Sequence, residues 1–294
     1  MSDAPKKESF ELVTLRSGHK SLRLANTLQT FHPGIGPLAE AEILYVRGQK
    51  LIERTSKPGL FVVWDVGLGA AANALSAIHA LSGKGQYSSN EPCTASVEIH
   101  SFEQSLEPLR FAIEHAEELQ YLKDDLPLIE ALLANGTVQV HSNLKWILHQ
   151  GDFRETMNQP GIPAPQAIFY DPYSLAVNPE LWSVEHFQKL RSRLDDAKPC
   201  LLTNYTRSTA LRVTLILAGF YVGVGSTIGD KEETTVVSNS LDLVENPLDE
   251  NWLKRVKASQ NANPIRNAGH AYGPITEEDY QLLITQKQFQ RPAP

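Results

Sequence analysis

Acids and glycines stand together at four places in the chain where a nucleotide site would need them. Asp65-Val66-Gly67-Leu68-Gly69 closes one apolar run, Glu103 a second, Gly151-Asp152-Phe153 a third and Asp171-Pro172-Tyr173 a fourth. Glycine allows a close backbone approach and a positive φ. A helix beginning near Ala70 would aim its positive end at the same place. A carboxylate at Glu103 can accept both hydroxyls of a ribose. Asp152 can take an adenine amino group while Phe153 packs the ring. A lone acid at a strand end is ordinarily a cap or a loop residue; four successive sites are harder to explain that way. The full G-x-G-x-x-G is absent, because Ala72 stands at its third glycine, and nothing resembles a pyrophosphate clamp. The set therefore fits S-adenosylmethionine better than a nicotinamide dinucleotide.

The elements that would position these groups alternate. Apolar strand patterns at 59–67, 95–103, 145–152, 166–171 and 199–205 are separated by helical stretches, among them AAANALSAIHALS, SLEPLRFAIEHAEEL, 178–194 and TRSTALRVTLILAG. FYVGVGS and TTVVSNS follow without a helix between them. Such alternation implies an α/β fold with a largely parallel, doubly wound sheet and an antiparallel edge hairpin, the arithmetic of a seven-stranded, Rossmann-like methyltransferase. Residues 118–143 have no place in the alternation and read as an insertion, helical at Leu126–Ala134. Residues 10–25 read as two strands around Ser17-Gly18-His19-Lys20, and 36–47 as a helix carrying Leu38, Ala41, Leu44 and Tyr45 on one face. Three units are expected: 1–58 as an N-terminal hairpin-and-helix extension, 59–240 as the main domain, and 241–294 as a tail with helices at 249–260 and 277–285.

Composition narrows the class. The chain has 294 residues, 41% hydrophobic and 21% charged, which suits a folded protein. No apolar run approaches the roughly 20 residues of a membrane span, and the N-terminus lacks a signal-type apolar region. A cytoplasmic location is the expected default. Cys93 and Cys200 make no disulfide framework, and no His/Cys/Asp spacing suggests a metal. The net charge of −7 argues against a general nucleic-acid coat, yet residues 1–58 sum to +3, with Arg16, Lys20 and Arg23 among them.

The block YDPYSLAVNPELWS (170–183) resembles the D-x-x-x-P-x-x-N-P-x-x-W signature of the MnmC-like family, the tRNA 5-methylaminomethyl-2-thiouridine methyltransferases. WDVGLGAAANAL (64–75) is similar to the family's E-x-G-F-G-T-G-L-N-F, HSFEQ (100–104) to S-F-E-K, and HQGDFRE (149–155) to F-G-D-I-N-E. FHPGIGPLAEAEILYV (31–46) resembles the segment before the sheet, and 214–238 the last helix and hairpin, so the likeness covers about residues 10–240. The departures are Ala71 at the second motif glycine, Leu175 near a family proline, and Gly229-Asp230-Lys231-Glu232-Glu233 where the family turn is basic. Nothing resembling the flavin-binding half follows, so an oxidative step is not expected of this chain.

The resemblance implies transfer of a methyl group from S-adenosylmethionine to 5-aminomethyl-(2-thio)uridine at the tRNA wobble position. A separate enzyme would supply the aminomethyl intermediate. It implies cofactor contacts at Asp65, Gly67, Leu68, Gly69, Asn73, Glu103, Gln104, Asp152 and Phe153. It places Asp171 as the proton acceptor, with Tyr173, His32 and Glu40 on the substrate. Packing alone also accounts for Tyr173, and Trp182 reads as core. Asn178 and Pro179 suit the start of the following helix as N-cap and N1. Two other readings stand beside this one: an N-methyltransferase of a protein or small amine, and a noncatalytic S-adenosylmethionine or nucleotide module.

Overall fold

The computed structural model describes residues 9–32, 34–84, 93–227, 233–267 and 271–290. At the N-terminus, β1 (Phe10–Thr14) pairs antiparallel with β2 (Lys20–Leu24), in register from Phe10↔Leu24 to Thr14↔Lys20. Gly18, at φ 84°, makes the turn between them. A third strand, β3 (Gln29–Thr30), adds to the expected pair. The expected helix over 36–47 forms as Pro37–Ala41 running into a π-helical turn, Glu42–Arg47. Its wider turn is closed by Gly48 N–H donating to Ile43 O at 3.0 Å.

The main sheet consists of β4 (Leu60–Val66), β5 (Ser96–Glu103), β6 (Thr137–His141), β7 (Leu144–Gln150), β8 (Ala167–Tyr170), β9 (Leu201–Asn204), β10 (Tyr221–Gly225) and β11 (Thr234–Ser238). Their order is β10-β11-β9-β8-β4-β5-β7-β6. The five central strands run parallel, and β11, β10 and β6 run antiparallel to their neighbours. The strand order reverses between β4 and β8, which makes their carboxyl ends the switch point of the sheet. Seven strands were expected and eight form. The extra one, β6, comes from the insertion, after its helix Leu126–Asn135 turns at Gly136 with φ 69°. Its residues are only partly buried along an outer edge, so they carry little apolar pattern.

Alternation along the strands builds two cores. Phe61, Val63, Val97, Ile99 and Phe169 face helices Ala72–Leu81, Glu107–Glu114 and Leu126–Asn135. Val62, Trp64, Val66, Ile168 and Tyr170 face helices Val184–Ser192, Thr209–Leu217, Glu250–Ala258 and Glu277–Ile284. The segment before residue 59 adds Leu22, Leu44 and Tyr45 to the first core. The segment after 240 adds Trp252, Val256, Ile265 and Leu283 to the second. The three-unit division stays a proposal.

Two expected helices differ in extent. The stretch 105–119 breaks at His115 into Glu107–Glu114 and Ala116–Leu119. The helix expected from Asn178 starts later. Pro179–Leu181 is a single 3-10 turn with no side-chain cap from Asn178. The α-helix begins at Val184, where Ser183 Oγ accepts from His186 N–H at 3.2 Å. Proline at 179 fits either turn, and a buried serine satisfying an orphan amide decides where the helix starts.

Candidate active site

The strand register brings the motif loops to one level, because Val66 lies opposite both Phe102 and Tyr170. Gly67 sits there at φ 90°, and its N–H donates to Phe102 O at 3.0 Å. A Cβ at this position would lie 2.6 Å from Asp171 O and 2.9 Å from Asp171 C, so only glycine lets the two loops meet. Gly69 N–H donates to Glu103 Oε2 at 2.9 Å, while Ser105 N–H donates to Oε1 at 3.1 Å. Glu103 is thereby fixed across the mouth of the glycine loop. Helix Ala72–Leu81 starts directly behind the loop.

These ends open on a cavity of about 1150 Å³. Its wall brings together the expected Gly67, Leu68, Gly69, Glu103, Gln104, Asp152 and Phe153, and the expected Asp171, Tyr173, His32 and Glu40. Asp65 and Asn73 are the exceptions: neither lines the cavity. Asp65 is fully buried, and Ser101 Oγ donates to its Oδ2 at 2.7 Å, with Trp146 Nε1–H donating to Ser101 Oγ at 2.9 Å. Burial pushes the Asp65 carboxyl up to about 8 against the Ser101 hydrogen bond, with the charges of Asp171 and Glu103 adding to the rise. Asn73 is buried, and its Nδ2–H donates to Asp171 Oδ2 at 2.8 Å. Asn73 supports the wall residue Asp171, whereas Asp65 is bonded inside the sheet to Ser101. The sequence shows their proximity to the loop but not which way a side chain turns at a strand end.

Asp152 is also more committed than expected. Its Oδ1 accepts Arg154 N–H at 2.9 Å as a helix cap, and the Arg154 guanidinium spans both carboxylate oxygens. The Arg154 hydrogen bond holds its pKa below the usual range. An adenine amino group would share this carboxylate with the guanidinium. Phe153 is buried against Trp64 and Phe102 and shows one face to the cavity.

At the other end of the cavity, His32 lies between two carboxylates. Its Nε2 is 3.9 Å from Asp171 Oδ2 and its Nδ1 3.8 Å from Glu40 Oε2. Gly34 N–H donates to Glu40 Oε1. Tyr173 packs edge-on against Phe31, with ring centroids 5.7 Å apart. Trp182, buried as expected of core, also donates from Nε1 to Tyr173 O at 2.9 Å and so pins the loop. Ser174 Oγ donates to Gln29 Oε1 at 3.2 Å. The N-terminal extension is thus one wall of the site.

Sequence reasoning missed Tyr45, Phe31 and Tyr205 as wall residues. Tyr205 directly follows β9, so the strand-end rule that found the other four loops could have found it. Tyr45 and Phe31 carried no such signal, because they reach the cavity from outside the sheet. Burial, with the charge of Asp171 next, raises the Tyr45 hydroxyl well above its ordinary pKa. Of the acidic turn 229–233, all but Glu233 lies outside the described residues, and Glu233 Oε1 accepts from the buried Arg212 at 3.0 Å.

Residues 114–240 match the S-adenosyl-L-methionine-dependent methyltransferase family model. The tRNA 5-methylaminomethyl-2-thiouridine biosynthesis bifunctional protein MnmC of Burkholderia mallei is 28% identical over 200 residues. That match covers 65% of this chain and 29% of the relative. The protein of the same name from Azoarcus sp. is 29% identical over 206 residues, 69% of this chain and 32% of the relative. The chain carries an MnmC-like, S-adenosyl-L-methionine-dependent methyltransferase domain. It spans about a third of the length of these curated relatives. The crystal structure of MnmC2 from Aquifex aeolicus shares the fold, with a TM-score of 0.66 at 23% identity, covering 95% of this chain and 84% of that one. Among the described residues no helix is long and apolar enough to cross a membrane, and no three His, Cys, Asp or Glu side chains are grouped to hold a metal ion.

The cavity suits the methyl donor. A carboxylate fixed at Glu103, glycines at 67 and 69 and aromatic rings at Phe102 and Phe153 could hold its ribose, its amino-acid part and its adenine ring. Bound there, the cofactor supplies an electrophilic methyl group on sulfur.

Proposed function

We propose that this methyltransferase methylates the primary amine of 5-aminomethyl-(2-thio)uridine at the tRNA wobble position. One observation carries the reading: the acceptor end of the cavity is walled by two carboxylates, Asp171 and Glu40, with His32 between them. An amine is an ammonium at neutral pH and has no lone pair until a proton is taken. A carboxylate draws the ammonium in by charge and then accepts that proton. The nitrogen lone pair forms its bond to the methyl carbon as the methyl–sulfur bond breaks, and the electron pair stays on sulfur.

In this reading Asp171 is the proton acceptor, held in place by Asn73. Tyr173 borders the extruded base, as aromatic faces suit unstacked RNA bases. Gly67, Leu68, Gly69, Glu103, Gln104, Asp152 and Phe153 hold the cofactor, while Asn73 backs the wall through Asp171. The cavity of about 1150 Å³ supports two occupants, since a single small-molecule site usually takes roughly 300–1,000 Å³. The names of the curated relatives support tRNA as the carrier. A separate enzyme then supplies the free aminomethyl group.

The test adds methyl-labelled S-adenosylmethionine and undermodified tRNA to the purified protein. Label on the wobble uridine is expected. Label on a protein or small amine, with none on tRNA, would overturn the substrate and leave the methyltransferase chemistry standing.

A further inference from the structure

We propose that His32 and Glu40 form a relay that removes from Asp171 the proton it takes from the acceptor amine. The relay rests on the amine-methylating reading above.

Asp171 opens onto the same cavity that the acceptor must fill, with its side chain 18% exposed. A proton left on it sits beside the nitrogen and can return before methyl transfer. His32 offers the way out. An imidazole takes a proton at one ring nitrogen and gives one from the other. Nε2 faces Asp171 Oδ2 at 3.9 Å and Nδ1 faces Glu40 Oε2 at 3.8 Å. These are ion-pair distances, about 1 Å beyond hydrogen-bonding reach, so a small ring movement closes either side. One proton moves from the ammonium to Asp171, from Asp171 to Nε2, and from Nδ1 to Glu40. Asp171 returns to carboxylate and His32 to neutral imidazole.

The backbone gives independent support. His32 is at φ 44°, in the left-handed region that a non-glycine residue adopts only when its surroundings hold it there. The surroundings impose it: Phe31 N–H donates to Leu22 O at 2.8 Å, Ser21 Oγ donates to Phe31 O, and Gly34 N–H donates to Glu40 Oε1. The chain is bent to hold the imidazole between the two acids. Glu40 faces His32 from helix Pro37–Ala41, and Asp171 faces it from the loop after β8. Behind Asp171 stand Tyr45, Tyr205 and the buried Asp65. No cation among them would block proton transfer to the ring.

A latch that only ties the N-terminal extension to the catalytic loop would use the same contacts, so the test must separate the two. Single-turnover methyl transfer to aminomethyl-uridine tRNA is followed across pH for the wild type, His32→Gln, His32→Ala and Glu40→Gln. Cofactor affinity is measured by titration alongside. The relay predicts a loss of about tenfold or more near neutral pH, as expected for removing an acid–base group. The loss shrinks as pH approaches the amine's own pKa, imidazole partly restores His32→Ala, and cofactor affinity is unchanged. Rates within about twofold of wild type at every pH would overturn it. So would a pH-independent loss without imidazole rescue, or a loss that tracks weakened cofactor binding, since a structural role then accounts for it. Wild-type protein inactive on this tRNA overturns the substrate reading and the relay with it.

Discussion

Gly67→Ala tests whether the glycine loop holds the methyl-donor half of the site by close approach. At φ 90°, Gly67 lies well past the left-handed optimum near +57°, so alanine there carries roughly 1–3 kcal/mol of backbone strain. The new methyl would also lie 2.6 Å from Asp171 O, and reaching the 3.4 Å of ordinary contact takes a shift of 0.8 Å. The loops cannot part freely, because Asp171 N–H donates to Val66 O at 2.9 Å and Val66 pairs with Tyr170. Forcing extra atoms into a packed site costs about 1–3 kcal/mol more. A misplacement approaching 1 Å at the proton acceptor lowers the rate on the order of 10²-fold. Gly69→Ala is the control. It lies at φ 54°, near the left-handed optimum where alanine is strained least, and its Cβ would come nearest to the Phe31 ring edge at 3.3 Å. Denaturant unfolding and single-turnover methyl transfer, run on both, should show about 2–6 kcal/mol and 10²-fold for Gly67→Ala. Gly69→Ala should cost about 1 kcal/mol and less than about tenfold. Equal, small effects at the two positions would refute the close-approach argument.

Three further outcomes are expected. Asp171→Asn keeps an acceptor for Asn73 but cannot take a proton, so methyl transfer falls by about 10²–10⁴ near neutral pH with cofactor affinity unchanged. Retained rate would remove Asp171 from the role. Asp65, pushed up to about 8 by burial, holds its proton in the folded state from about pH 4 to about 8 while the unfolded chain has lost it. Its contribution to stability is therefore complete below about pH 4 and lost as pH rises to about 8, at up to about 1.4 kcal/mol per pH unit. Asp65→Asn, which cannot ionise, should gain on wild type in thermal unfolding as pH rises through that window; a difference independent of pH would contradict this. Ser183→Ala removes the cap to His186 and the bond to Asn267 Oδ1 at 2.6 Å, costing about 1–3 kcal/mol in denaturant unfolding with methyl transfer per folded molecule unchanged.

The central sheet was legible because its strands are buried on both faces and read as apolar runs, as in LFVVWDV for β4. The donor end of the site was legible for a related reason: a parallel sheet puts its ligand groups at strand ends, and Gly67, Glu103, Asp152 and Asp171 sit at four of them. Edge strand β6 was not, since half-exposed residues between turns resemble a loop. Contact geometry was also out of reach. Asp65 is one residue before the end of β4, and that single step turns its carboxyl into the sheet instead of the cavity. The acceptor wall was read only through resemblance at His32 and Glu40. His32 follows a two-residue strand and Glu40 sits on a five-residue helix, and the position of this segment depends on Phe31 packing against Tyr173 and Gly69 and not on any local pattern.

Ala71 bears most directly on whether the domain is built to react. A lost motif glycine is the one feature of the sequence that favours a noncatalytic binding module. In the structure Ala71 takes the left-handed turn itself, at φ 65°, close to the optimum a side chain can occupy. Its methyl is fully buried in the core beneath the loop and lines no part of the cavity. The residue thus performs the glycine's conformational task at roughly 1–2 kcal/mol of strain, offset by burial of the methyl, and leaves the approach to the ligand unchanged. The glycine that cannot be replaced is Gly67, where φ and the Asp171 backbone both forbid a side chain, and it is present. Ala71→Gly should therefore alter stability and leave methyl transfer near its original rate, whereas a large gain in rate would mean that the alanine had been restraining the loop.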